Sequence, residues 1–304
     1  MADGEMSSAT AQMVVGDCFV LTIGMATYRD FEGVWATIKA LQLYHPRVEY
    51  VLVDNDIEPC RQSQGAVESA GGRYFYRPDL CGTSKPRDHV FKVAETEWVC
   101  CIDCHVFLIP GAVRALIDYA ISHPNSRDIL SGPIIADNGN LLATHWQPDS
   151  SCGLWGQWSI DPHFYDPRQE PFEIPMQGLG LFAMRKAAWP GFNPLFRGFG
   201  GEEGYIHEKV RQRGGKALCL PQLGWWHRFR DQTSTKGIAP YPLKIEDHTF
   251  NLLVGHRELG IEAEDKIFEH FGKRVHSLNW MHIVAESRAK QPFGESFTLN
   301  SREN

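Results

Sequence analysis

Trp98-Val-Cys-Cys-Ile102-Asp103-Cys104-His105 decides the fold. Its first five residues are an apolar run fit for a buried strand, and the run ends in a carboxylate and an imidazole two positions apart. Residues two apart on an extended chain point to the same side. In open α/β sheets, ligands bind beyond the C-terminal ends of the strands. An Asp and a His in that place suit a divalent ion such as Mn²⁺. The tripeptide alone also reads as an ordinary strand-end turn with a satisfied histidine.

Further apolar runs flank this one at regular intervals. Phe19-Val-Leu-Thr-Ile-Gly-Met25, Tyr50-Val-Leu-Val53 and Arg73-Tyr-Phe-Tyr-Arg77 read as strands. Val34, Ile38, Leu41 and His45 share a helical face with Trp35 beside them, and Pro110 opens a helix carrying Val113, Leu116, Ile117, Ala120 and Ile121. Strands alternating with helices predict an α/β fold with a mainly parallel central sheet flanked by helices. Residues 131–200 are rich in Gly, Pro and Trp and read as site-building loops with one strand, Leu179 to Met184. A helix over Glu202 to Arg213, stopped by Gly214-Gly215, and a short strand over Lys216 to Leu220 follow. A helical tail is expected from about Ile245.

The 304-residue chain has a net charge of −7 and 43% hydrophobic residues. That is a globular composition and excludes a collagen-like or mostly disordered chain. An acidic balance argues against coating nucleic acid or an anionic membrane by charge. No apolar run approaches the ~20 residues of a membrane helix. The stretch Met1 to Gln12 lacks a signal peptide's basic start and apolar core. A loose tail over 1–16 and a cytoplasmic location are therefore expected, with the eight cysteines reduced. Cys101-Ile-Asp-Cys104-His105 fits the pattern of haem attachment, but it continues a hydrophobic strand, and no second C-x-x-C completes a zinc site. Gly178-Leu-Gly180-Leu-Phe-Ala183 fits a dinucleotide fingerprint without the strand and acid such a site needs.

Three more stretches carry chemistry. Phe199-Gly-Gly-Glu202-Glu203 sets two carboxylates at a helix start, where acids either cap the helix or serve as base. Trp225-Trp226-His227-Arg228 offers a third metal ligand if His227 reaches Asp103 and His105. Gly82-Thr-Ser-Lys85-Pro-Arg87-Asp88 reads as a small-residue loop whose two cations receive a diphosphate, or as a solvated loop before a helix at Val90 to Ala94 capped by Ser84 or Asp88.

Taken in order, these pieces resemble the GT-A fold glycosyltransferases, above all the family 2 enzymes and the polypeptide N-acetylgalactosaminyltransferases. The resemblance runs from about Phe19 to Phe229. Asp103-Cys-His105 matches their Asp-x-His, Gly178-Leu-Gly-Leu-Phe182 their Gly-Gly-Leu-Phe segment, Phe199-Gly-Gly-Glu202 their Trp-Gly-Gly-Glu helix start, and His227-Arg-Phe229 their His-x-Phe-Arg. Phe199 stands where the family has Trp, and a second acid follows Glu202.

The resemblance implies a transferase domain over 17–232 and a C-terminal loop and helical extension over 233–304. It implies a hexosyltransferase-type enzyme that moves a sugar from a nucleotide-sugar, UDP-linked, to a hydroxyl. The implied ligands of Mn²⁺ or Mg²⁺ are Asp103, His105 and His227, and the implied acids are Glu202 and Glu203. Donor contacts fall to Ala26, Thr27, Tyr28, Asp54, Asn55, Lys85, Arg87, Asp103, Trp155, Gln177, Gly178 and Gly201. The acceptor stays open among a glycan, a protein side chain, a small molecule and a hydroxylated DNA base. The competing readings are a non-catalytic nucleotide-sugar or glycan binding module and, third, a nucleotidyltransferase on a related sheet.

Overall fold

The computed structural model describes residues 20–136, 138–149, 153–166, 168–228 and 241–296. The expected tail, Cys18, Phe19, Cys152, Phe229, Arg230 and the loop after it lie outside the described residues. The chain begins β1 (Leu21–Thr27), α1 (Phe31–Tyr44), β2 (Glu49–Asp54), α2 (Arg61–Ser69), β3 (Arg73–Tyr76), α3 (Ser84–Val93) and β4 (Trp98–Asp103). It continues through β5 (Val106–Leu108), α4 (Ala112–Ser122), β6 (Ile129–Ser131), β7 (Ile134–Ile135), β8 (Leu141–Ala143), β9 (His145–Pro148) and β10 (Gly156–Ser159). Next come β11 (Phe172–Glu173), β12 (Leu181–Arg185), α5 (Glu202–Gln212), β13 (Ala217–Cys219) and β14 (Trp225–His227). Three helices close the chain: α6 (Ile245–Glu258), α7 (Glu264–His270) and α8 (Ser277–Lys290).

The expected sheet is present. Eight strands run in the order β11-β13-β6-β12-β4-β1-β2-β3. β1 pairs in parallel with β2 and β4, and β2 with β3, while β12 lies antiparallel between β4 and β6. β1, β2 and β4 read as continuous apolar runs because helices cover both faces of the sheet. Gly24 lets α3 lie close on β1, since a Cβ there would sit 2.0 Å from Val90 Cγ1. The strand order turns back between β1 and β4, and the crevice at their C-terminal ends is where such a sheet binds ligands.

Two expectations need correction. Residues 131–200 hold several short strands besides the expected one, and a second sheet, β5-β14-β7-β8, forms beside the large one. In it His227 pairs with Val106, so β14 folds back against the segment that carries His105. The stretch Gly82 to Asp88 is not a loop, because α3 already begins at Ser84. Pro86 sits in the first turn, where a missing N–H breaks no helical hydrogen bond. Neither Ser84 nor Asp88 caps α3: Thr83 holds that position with no side-chain bond to the helix, and the Asp88 carboxylate accepts from Trp189 Nε1 at 2.8 Å and from the backbone of Phe192 at 3.1 Å.

The C-terminal helices share the main apolar cluster. Phe250, Leu253, Ile267 and Ile283 pack in one body with Phe91, Phe182, Met184 and Tyr205. A buried ion pair, Lys209 Nζ to Glu258 Oε1 at 2.8 Å, ties α5 to α6. Cys100, Cys101, Cys104 and Cys219 are buried free thiols. Among the described residues no helix is long and apolar enough to cross a membrane.

Candidate active site

A cleft of about 210 Å³ opens at the C-terminal ends of β1 and β4. Ala26, Thr27, Tyr28, Asn55, Arg87, Asp103, His105 and His227 line it, together with Asp30, Thr83, Phe199 and Tyr241. β1 delivers the first three as it ends, and β4 delivers Asp103. The Asp103 N–H donates to Gly180 O at 2.9 Å, which fixes the end of β4 against the start of β12. Gly180 is small for a reason: a Cβ there would lie 2.9 Å from the Trp225 ring and 3.1 Å from His227 Cδ2. The second glycine of Gly178-Leu-Gly180 thus admits His227 to the site.

Donor atoms of Asp103, His105 and His227 lie within 4.8 Å of one another. His227 Nε2 is 3.6 Å from Asp103 Oδ2, and the two imidazoles meet edge to face at 4.9 Å between ring centres. Two ligands about 2.1 Å from one ion stand at most about 4.2 Å apart, so a small closure of the three side chains suffices. One carboxylate and two imidazoles form a donor set that suits Mn²⁺. Asp30, Cys104 and His105 make a second cluster of this kind. Burial and the Asp30 charge push the Cys104 thiol well up, so it stays protonated there. Asp30 Oδ1 accepts from Gly33 N at 2.9 Å and Oδ2 from His105 Nδ1 at 2.9 Å. Both oxygens are thereby engaged, and the first cluster is the better ion site.

Electrostatics keep Asp103 charged. Burial works to raise the Asp103 carboxyl, but Arg87 and the bond from His227 outweigh it and hold Asp103 far below the usual range. The Arg87 guanidinium lies 2.7 Å from Asp103 Oδ1 and 3.5 Å from Glu202 Oε1. Its charge is therefore committed to two carboxylates. Burial likewise works against protonation of His105, yet the Asp30 bond and the Asp103 charge hold its pKa above the ordinary value.

Of the other expected donor contacts Asn55 lines the cleft, while Asp54, Lys85, Trp155, Gln177 and Gly178 do not. Asp54 is buried, and its carboxylate accepts from the backbone of Asp56 and Cys60 and from Tyr74 Oη at 2.6 Å. The Asn55 amide donates to Leu80 O and Gly82 O, each at 2.9 Å, and fixes the loop that forms the rim. Lys85 stands on the first turn of α3 outside the lining. Gln177 is buried and donates to Thr144 O at 2.9 Å, and its other end accepts from Gly178 N. A Cβ on Gly178 would touch Trp158 at 3.0 Å. Trp155 does not line the cleft and packs with its ring centre 5.4 Å from Phe271 and 5.5 Å from His270.

Gly200 and Gly201 turn left-handed at φ 101° and 90°, and Cβ atoms there would meet His248 and Asn251 of α6. The two glycines serve helix packing and a tight entry to α5. Glu202 is fully buried at the start of α5, where it accepts from Thr83 Oγ1 and Arg87 through Oε1, while Oε2 has no partner. Burial and the Glu202 charge push the Glu203 carboxyl up. Asp30, Thr83 and Tyr241 escaped the reading of the sequence. The Tyr241 ring stands 4.9 Å from Tyr28 across the cleft mouth. Asp30 carried one signal, an acid three residues before Gly33 at a helix start.

The model of glycosyl transferase family 2 matches residues 22–189, more than half of the chain. The chain belongs to glycosyl transferase family 2. No curated protein sequence matches it. Among solved structures, this family 2 chain is similar to GalNAc-T7 with UDP, GalNAc and Mn²⁺, at 15% identity and a TM-score of 0.62 over 90% of this chain and 58% of that one. It is similar to S. aureus TarS 1-349 in complex with UDP-GlcNAc, at 14% identity and a TM-score of 0.58 over 88% of this chain and 80% of that one. The chain thus spans little more than half of GalNAc-T7. At these identities the likeness shows the fold, and the fold is GT-A, as the resemblance implied.

Proposed function

We propose that this family 2 glycosyltransferase is an active, divalent-metal-dependent enzyme that moves a sugar from a UDP-linked donor to a hydroxyl acceptor. Residues 17–232 form its transferase unit and 233–304 its extension. One observation carries the reading: a carboxylate and two imidazoles from two segments far apart in the chain gather on the wall of the cleft at the sheet's switch point. Asp103, His105 and His227 would hold Mn²⁺ or Mg²⁺. A bound ion there supplies positive charge against the diphosphate that leaves with the nucleotide.

The chain's own groups do the remainder. Ala26, Thr27 and Asn55 bound the nucleoside pocket, and the paired rings of Tyr28 and Tyr241 offer faces for a base. Arg87 keeps Asp103 ionised and joins it to Glu202. Neither acid at the head of α5 lines the cleft, and Glu202 reaches it through Thr83 and Arg87, which do. Glu202 holds Thr83 and Arg87 in place.

The test is thermal unfolding with UDP, GDP, CDP and TDP, each with and without Mn²⁺. A ligand that binds only the native chain at 100 times its Kd adds about 2.7 kcal/mol. UDP should raise the melting temperature only with Mn²⁺, and the His105→Ala chain should lose the shift. No shift with any nucleotide would contradict the reading, and nucleotide binding without turnover would make the chain a binding module.

A further inference from the structure

The carboxylate of Asp30 joins the start of α1 to the segment Cys104-His105. Oδ1 accepts from Gly33 N at 2.9 Å and so caps α1. Oδ2 accepts from His105 Nδ1 at 2.9 Å and from the Cys104 thiol at 3.3 Å. Asp30 is only 5% exposed, so these partners are not exchanged for water. A second observation bears on the same carboxylate. A Cβ on Gly33 would lie 2.3 Å from Asp30 Oδ2 and 2.7 Å from its Cγ. The backbone of Gly33 is ordinary helix, so no conformational demand calls for glycine there. The missing side chain is the space that the Asp30 carboxylate fills.

An ionised carboxylate only accepts hydrogen bonds, so the imidazole must donate from Nδ1. That leaves the lone pair on Nε2, the nitrogen through which His105 would hold an ion beside Asp103 and His227. We propose that Asp30 is a positioning residue that locks the tautomer and ring orientation of His105, and that Gly33 exists to seat it. The consequence for metal affinity rests on the reading of Asp103, His105 and His227 as an ion site. The tautomer of His105 does not.

Two measurements separate the claims. The first is the ¹⁵N spectrum of His105 at pH 9 without metal, in the wild-type, Asp30→Ala, Asp30→Asn and Gly33→Ala chains. The wild-type ring should carry its proton on Nδ1, and Asp30→Ala and Gly33→Ala should move it toward Nε2. Asp30→Asn has one acceptor oxygen for two donors: with that oxygen on Gly33 N, its NH₂ faces His105 Nδ1 as a donor, so the proton should move toward Nε2 here too while the cap is kept. The second is Mn²⁺ affinity by electron paramagnetic resonance. Loss of a partner that orients a ligating histidine weakens metal binding about 10–100-fold. That loss is expected in Asp30→Ala, in Gly33→Ala and in Asp30→Asn, the last with the helix cap intact.

Gly33→Ala removes no polar group and favours helix, so weaker Mn²⁺ binding there would come from displacement of the Asp30 carboxylate. A wild-type ring protonated on Nε2, or an unchanged tautomer in both Asp30→Ala and Gly33→Ala, overturns the proposal. A wild-type chain that binds no Mn²⁺ overturns the ion site instead, and the spectra still decide the role of Asp30.

Discussion

Replacing Arg87 by methionine tests the charge balance of the site. The guanidinium is 6% exposed and bridges Asp103 at 2.7 Å and Glu202 at 3.5 Å. Methionine fills comparable space, so little cavity forms. What remains is two carboxylates without their cation, one of them fully buried. Breaking a buried pair by removing one partner costs about 3–5 kcal/mol. The larger share should come from Glu202, because the Asp103 side chain retains 23% exposure and finds some water. Urea unfolding in EDTA should therefore show the variant less stable by about 3–5 kcal/mol. Saturating Mn²⁺ places positive charge on Asp103, so the ion should stabilise Arg87→Met more than it stabilises the wild type. A metal-free loss below about 1 kcal/mol, the size of an exposed ion pair, would refute the reasoning. So would an equal gain from Mn²⁺ in the two chains.

Other substitutions probe the surroundings. Gly180→Ala should cost about 1–3 kcal/mol by overpacking and weaken Mn²⁺ binding, because Trp225, anchored by Nε1 to Gly132 O at 2.9 Å, leaves His227 to move; titration calorimetry with unchanged Mn²⁺ affinity would count against this. His207 is 1% exposed and its pKa is lowered to about 4 by burial, so the unfolded chain binds the extra proton between pH 6.5 and 4. Its contribution falls as the pH drops through that window, by up to about 3 kcal/mol. Asp88, raised by burial to about 6, acts with the opposite sign, and comparison with His207→Gln cancels it. The stability gap between the two chains should narrow from pH 7.5 to 4.5; a constant gap would contradict the assignment. Glu258→Gln removes the partner of buried Lys209 and should cost about 3–5 kcal/mol, read as a lower urea midpoint, whereas an unchanged midpoint would show that the C-terminal helices do not depend on this pair.

Much of the fold was legible because its strands are long apolar runs. β1, β2 and β4 announce themselves, and Pro110 with its apolar spacing marks α4. The short strands of residues 131–200 were not legible. Strands of two to four residues are too brief to show an alternating pattern, and their pairing comes from distant segments. α3 was misread at its start because Pro86 looks like a breaker until its place in the first turn is known. In the site, the Asp103-x-His105 spacing and the isolated His227 drew attention through residue type. Asp30 did not, since an acid before a helix has an ordinary role as a cap. Trp155 misled in the other direction. A tryptophan in a Gly-rich loop resembles a binding surface, yet here it fills space against α7, an element the sequence placed in the extension.

The central claim is that Asp103, His105 and His227 hold a divalent ion for a nucleotide donor. Anomalous diffraction at the manganese edge, from crystals grown with Mn²⁺ and UDP, tests it most directly. The account predicts one strong peak roughly 2.0–2.2 Å from the Asp103 carboxylate and from one nitrogen each of His105 and His227, with the diphosphate beside it. A crystal with UDP bound in the cleft and no peak among these three side chains would contradict it.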